Sequence, residues 1–257
     1  MKLEGKAISH VKFGKGIVTN SSEKYITILF PHGEKKFLYP DAFLKFLILK
    51  DEKTQKKIDQ ILDGKLSRDE KRREQERKEH EKHQRIQSLR IRQYSQAVFG
   101  LSINNQNKVF DRWSVYTGEY LSGKSKGLPK IPVKLDLNSA CLITSRQMGE
   151  PENNRKIIGA FMVEDDFEAS SCKDGIIKSH EYYRMELKEK EALSFWNYFE
   201  EEEPLKWGRS EMKVITIKEM QTILKDMEDK IPRSKRKQKM KEFYEYFCFV
   251  NQINLES

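Results

Sequence analysis

Residues 11–18 read Val11-Lys12-Phe13-Gly14-Lys15-Gly16-Ile17-Val18, with Gly5 and His10 just before them. Ile8 and Val11 fall on one strand, Gly14 and Gly16 on a tight turn, and Ile17 begins the next strand. Glycine suits that turn because a bulged hairpin needs backbone angles that only Gly adopts cheaply. Tyr25–Phe30 (Y-I-T-I-L-F) is a β-branched and aromatic run, Gly33 breaks it, and Lys36–Tyr39 resumes an apolar pattern. Phe43–Leu49 closes the set or begins a helix. Strands this short and this closely spaced predict an antiparallel barrel of roughly 45 residues.

From Asp51 the composition changes. Residues 67–85 are 19 positions without one apolar side chain, and no Gly or Pro occurs between Lys65 and Phe99. Spacings such as Glu74 to Lys78 and Glu79 to His83 attract along a helix face, whereas Glu70 to Glu74 repels. The stretch predicts one long exposed helix, with a disordered linker as the alternative. It has no a/d stripe and is not a conventional coiled coil. Apolar positions return at Ile86, Leu89, Ile91, Tyr94 and Val98, where the helix is expected to dock on a second module. The predicted division is a barrel at 1–50, a charged helical linker at 51–99, and a second module at 100–257.

In that module Trp113–Thr117, Ala140–Ser145, Ile157–Val163 and Val214–Ile217 read as strands. A helix follows, with Met220, Ile223, Leu224 and Met227 on its apolar face. Lys230–Lys241 holds seven basic residues and no acidic one, and Phe243–Phe249 is aromatic, which predicts a basic, aromatic C-terminal helix. The fold class is α+β: a small N-terminal antiparallel β-barrel, a long charged helix, and a C-terminal mixed β-barrel with peripheral helices.

Across 257 residues the formal charge is +9, and 35% of residues are charged. Excess positive charge favours a polyanionic partner through counterion release, DNA or RNA above all; the alternative is a merely Lys-rich soluble protein. Cys141, Cys172 and Cys248 have neither zinc nor disulfide spacing. No apolar run is long enough to span a bilayer, and Met1–Lys12 has no apolar h-region. A cytoplasmic setting, no membrane partner, no metal and no cofactor are the expectations.

Gly118–Ser125 (G-E-Y-L-S-G-K-S) satisfies the G-x-x-x-x-G-K-[ST] pattern of a phosphate-binding loop. That chemistry needs a helix starting at the Lys-Ser pair, and Gly127, Pro129 and Pro132 forbid one. An exposed glycine-rich loop with Lys124 and Lys126 remains a candidate phosphate contact. His80 and His83 lack further ligands for a metal, and Ser145 and His180 lack the elbow of a serine nucleophile. The stronger pattern interleaves aromatics (Trp113, Tyr116, Tyr183, Trp196, Trp207) with Arg112, Arg146, Arg155 and Arg184, a composition suited to stacking on bases and holding phosphates. Most of these rings are expected in the core and a few in a pocket. Arg233, Lys235, Arg236, Lys237 and Lys239 complete the candidate nucleic-acid contacts.

Gly5, His10, Val11, Phe13, Gly14, Gly16, Val18, Ile28, Phe30, Gly33, Lys36 and Phe37 resemble the Tudor-like domain at the C-terminus of UvrD/PcrA-type helicases. The resemblance covers about the first 48 residues and implies docking on RNA polymerase, a helicase or nucleic acid, not unwinding. Cys141–Arg146 and Arg155–Val163 resemble the PUA-like superfamily, with its EVE and ASCH domains, which implies a pocket for a base. The expected function is a non-enzymatic nucleic-acid-binding adaptor without catalytic residues. The alternatives are a protein-interaction scaffold docking through residues 1–50, and a nucleotide hydrolase using Gly118–Ser125.

Overall fold

The computed structural model describes residues 3–199 and 206–254, and the backbone alone at 102–107. It divides into two compact units, Met1–Glu81 and Lys82–Ser257. The class is mixed α and β.

In the first unit β1 (Ala7–His10), β2 (Gly14–Ser21), β3 (Tyr25–Phe30), β4 (Gly33–Leu38) and β5 (Leu47–Leu49) form an antiparallel sheet of order β4-β3-β2-β1-β5. The period-2 pattern of β3 sets its faces: Ile26, Ile28 and Phe30 are buried, while Tyr25 and Leu29 are exposed. Gly14 has φ +72°, a left-handed angle that suits glycine, but it opens β2 opposite His10; the turn itself is 11–13, so Val11 lies in the turn and not on the strand. Gly16 has a different role. It lies within β2, where a Cβ would come 2.7 Å from Ile28 Cγ2 and 2.9 Å from the Leu29 carbonyl. Space, not backbone angle, demands glycine there.

Helix α1 (Glu52–Gln87) follows. Its early residues Ile58 and Leu62 complete the core beneath the sheet, so this unit does not end at residue 50. Farther along, the charged stretch is helical and internally paired. Glu74 meets Arg77 at 2.7 Å and Lys78 at 3.6 Å, and Arg77 meets Glu81 at 3.3 Å. The expectation of a helix running on through Val98 is corrected: α1 stops at Gln87, and Tyr94–Ser102 is strand β6. Val98 and Ala97 lie on opposite faces of that strand, one in each core of the second unit. A fully buried strand is apolar without alternation, so its residues also fit a docking helix face.

After β6 come α2 (Ile103–Arg112), β7 (Ser114–Tyr116), β8 (Ala140–Arg146), β9 (Lys156–Val163), β10 (Ile176–Glu186), β11 (Leu193–Ser194), β12 (Met212–Thr216), α3 (Ile217–Lys230) and α4 (Lys235–Val250). Seven strands form a curled mixed sheet, a half-barrel of order β12-β6-β8-β9-β10-β7 with β11 beside β9. Only β6 and β8 run parallel among the pairs described. β10 bridges two neighbours: Ile176–Lys178 pair with β7, and Arg184–Glu186 pair with β9 past a register shift. One face packs Leu142, Ala160 and Met162 under α3 and α4; the other packs Cys141, Ile143, Phe161 and Val163. The predicted α3 face is correct, with Met220, Ile223, Leu224 and Met227 buried. Its N-terminus is a capping box between Thr216 and Glu219.

Candidate nucleic-acid interface

Arg146 ends β8, and the loop after it returns through a short turn at Glu152–Asn154 to Arg155, just before β9. Glu152 therefore sits between two guanidinium groups. Arg155 binds it through Nε and through Nη2 at 3.2 Å, while Arg146 Nε lies 3.0 Å away. Arg155 is buried, donates to Thr144 Oγ1 at 3.3 Å, and stacks 4.3 Å from the Trp207 ring. Trp207 lies on β6 because Gly100 leaves room; a Cβ there would meet Trp207 Cε2 at 2.3 Å. Trp196 is buried and donates its indole N–H to the Glu152 carbonyl at 2.7 Å.

Two open clefts meet at Arg146. One, about 590 Å³, includes Met148, Glu152, Arg155, Lys206 and Trp207 in its wall. The other, about 780 Å³, is lined by Phe110, Lys156 and Lys188 but also by Glu150, Glu186 and Glu189. Neither is ringed by aromatic side chains. In the smaller cleft one carboxylate serves two arginines, which leaves it net positive.

The five candidate aromatics do not converge. Trp113 packs against one core, with Arg184 4.9 Å from its ring; Tyr183, Trp196 and Trp207 pack against the other. Tyr183 stacks on Tyr246 at 3.9 Å, and burial raises both phenol pKa values above their ordinary range. Tyr116 is exposed on the edge strand β7 and hydrogen-bonds Glu119 at 3.3 Å. Arginines and rings that alternate in sequence thus form inward pairs rather than an open cage.

The basic residues divide by role. Arg155, Arg184 and Arg236 are engaged internally. Arg236 binds the buried Glu191 at 2.7 and 2.9 Å and the Glu186 carbonyl at 2.7 Å. That pairing, chiefly the hydrogen bond from Arg236, holds the Glu191 carboxyl below its usual pKa range. Arg112 is exposed at the end of α2. Arg233 and Lys235 are exposed, and Lys237 and Lys239 half-buried, around the start of α4. Ser234 caps that helix through the Lys237 N–H. No acidic residue occupies its first turn, so Lys235, Arg236 and Lys237 face the positive end of the helix dipole.

Lys124 and Lys126 are exposed on a hairpin-like loop. No helix starts at Lys124-Ser125, so the nucleotide-binding geometry that the motif needs is not formed. Ser145 is buried, and His180 is turned to other partners. Its Nδ1 accepts the Tyr182 N–H at 2.9 Å, and its Nε2 lies 3.2 Å from Asp165. Asp165 also binds Lys82 at 2.6 Å. Burial pushes its pKa up, but the hydrogen bonds from His180 and Lys82 outweigh that and hold it at about 2. Among the described residues no group of three His, Cys, Asp or Glu side chains is placed to hold a metal, and no helix is long and apolar enough to cross a membrane.

No family model, curated protein or solved structure matches this chain. Sequence reasoning missed Glu152, Met148 and Lys206 at the clefts, and Lys130 and Lys134 beside the exposed loop. The signal available for the last two was charge: residues 120–135 hold four lysines and no acid.

Proposed function

We propose that this chain is a non-enzymatic nucleic-acid-binding adaptor that holds the phosphate backbone through its second unit. One observation carries the reading: the positive charge is concentrated. Lys230–Lys241 and residues 120–135 contain eleven basic residues and no acid, more than the whole net charge of +9. Eight of them (Lys124, Lys126, Lys134, Lys230, Arg233, Lys235, Lys237 and Lys239) have no carboxylate partner among the described residues. A protein that is merely Lys-rich spreads its charge and neutralises it locally, as α1 does. Because the aromatic rings are packed inward, the reading favours backbone contact over stacking on a base. On this reading the curled sheet serves as a PUA-like module and the first sheet as a Tudor-like barrel.

The test is fluorescence anisotropy with labelled single- and double-stranded oligonucleotides across a salt series. Neutralising Arg233, Lys235 and Lys237 together is expected to flatten the log–log salt slope by roughly 2 to 3. No binding at low salt, or an unchanged slope, refutes the proposal.

A second reading has its own observation. Ile48, Ile17 and Leu29 lie on one face of the first sheet through the pairs Ser9–Ile48, Ala7–Ile17 and Ile17–Leu29, and all three are at least half exposed. Such a face supports a protein-interaction scaffold that docks on a polymerase or a helicase. Capture of RNA polymerase by the wild type but not by Ile17→Ser/Leu29→Ser supports it, and equal capture refutes it.

A further inference from the structure

The loop between β7 and β8 stands on a firm base. Lys130 N–H donates to the Gly118 carbonyl at 2.8 Å, the Thr117 hydroxyl donates to the Lys130 carbonyl at 2.6 Å, and Thr117 is buried. Tyr120 N–H donates to the Leu128 carbonyl at 3.0 Å, and Gly127 N–H returns to the Tyr120 carbonyl at 2.9 Å. Gly123 beyond that pinch and Gly127 within it take φ +78° and +80°, and a Cβ on either would meet nothing within 4 Å. The tip therefore stands clear of the body. The finger presents Leu121 and Leu128, 60% and 58% exposed, at that pinch, and beyond it Lys124 and Lys126, which have no carboxylate partner among the described residues.

Two leucines in water at the neck of a hydrogen-bonded finger do nothing for the core. Cations flank them within a few residues, and no acid occurs between positions 120 and 135. Apolar side chains that enter the minor groove and part a base step, with lysines on the adjacent phosphates, use this combination. A lipid surface suits it less, because two leucine side chains give only marginal membrane binding.

We propose that this finger is a wedge for duplex DNA. Leu121 and Leu128 enter the minor groove, and Lys124 and Lys126 hold the phosphates on either side. The proposal rests on the nucleic-acid reading above and adds to it a duplex, a groove and a bend. The probe is a 20-base-pair duplex of mixed sequence with a fluorophore at each end, read by anisotropy and by energy transfer.

In the full chain, Lys124→Ala/Lys126→Ala is expected to reduce the salt slope by roughly 2. Leu121→Ser/Leu128→Ser is expected to leave that slope unchanged, to weaken duplex binding about tenfold, and to abolish the end-to-end distance change. Its affinity for single-stranded DNA is expected to stay the same. All four side chains are exposed, and circular dichroism checks that the variants fold. Unchanged duplex affinity and bending in the leucine variant overturn the wedge, while the adaptor reading survives if the Arg233, Lys235 and Lys237 variant still flattens the slope. A wild type that binds no nucleic acid overturns both. Binding to phosphatidylserine vesicles that the leucine variant loses, with duplex binding intact, also overturns the wedge.

Discussion

Arg236 and its neighbours Lys235 and Lys237 have similar charge in sequence and opposite roles in the structure, and substitution separates them. Arg236→Ala leaves Glu191, whose side chain is 7% exposed, without its cation. Breaking a buried ion pair costs about 3–5 kcal/mol because the remaining charge is uncompensated. Two features lower that figure. The Arg236 side chain is one-third exposed, and Glu191 keeps the Lys188 N–H at 2.9 Å. The expected loss is about 2–3 kcal/mol, or roughly 5–10 °C in the melting of the second unit. Lys235→Ala/Lys237→Ala removes cations from the wrong end of a helix dipole, so stability is expected to hold or rise by a few tenths of a kcal/mol. Urea unfolding by circular dichroism reads both. The double variant Arg236→Ala/Glu191→Gln, which removes the stranded charge, is expected to recover at least half of the loss. The reasoning fails if Arg236→Ala is as stable as wild type, or if Lys235→Ala/Lys237→Ala is the more damaged of the two.

Asp165→Asn removes a carboxylate whose pKa is held at about 2 by His180 and Lys82, against an unfolded value near 4. Its stabilisation is present above about pH 4 and is lost as the pH falls through about 2; discounted for a half-exposed side chain, it is about 1 kcal/mol. Wild type and variant should therefore differ at pH 7 and converge near pH 2 in urea melts, and a gap that persists at pH 2 contradicts the assignment. Gly159→Ala places a Cβ 2.7 Å from Phe110 and 2.8 Å from the Met185 carbonyl, and about 1–3 kcal/mol of destabilisation is expected by calorimetry. Gly100→Ala is expected to displace Trp207 and shift tryptophan emission to the red; unchanged emission counts against the packing described.

The parts of the fold visible in the sequence were those with a local cause. Period 2 in Tyr25–Phe30, charge without Gly or Pro after Lys65, and the i, i+3, i+4 face of α3 each specify an element within its own span. What was hidden depends on distant residues. Val98 belongs to a strand because Leu142 lies beside it in the parallel β6–β8 pairing, and no local pattern reports that neighbour. The site was legible in composition but not in geometry. Which arginine faces Trp207, and which of Arg236 and Lys235 meets a carboxylate, follows from sequence separations of about 50 residues, as in Arg155–Trp207 and Arg236–Glu191.

The same separations sort one class of residue into two functions. An arginine beside a ring in sequence reads as a ligand contact, yet here Trp113, Trp207 and Glu191 each take one for the interior. Arginine suits that task because its planar, weakly hydrated group stacks and forks where an ammonium does not. Lysine, compact and strongly hydrated, keeps its ammonium at the surface, and the cations at 120–135 and 230–241 without a carboxylate partner among the described residues are lysines with the single exception of Arg233. A surface of lysines holds phosphate as point charges rather than through fixed forks. If the proposed nucleic-acid reading holds, sequence discrimination from that surface is expected to be weak and its salt dependence steep, and any preference falls to shape, which the exposed Leu121 and Leu128 would sense.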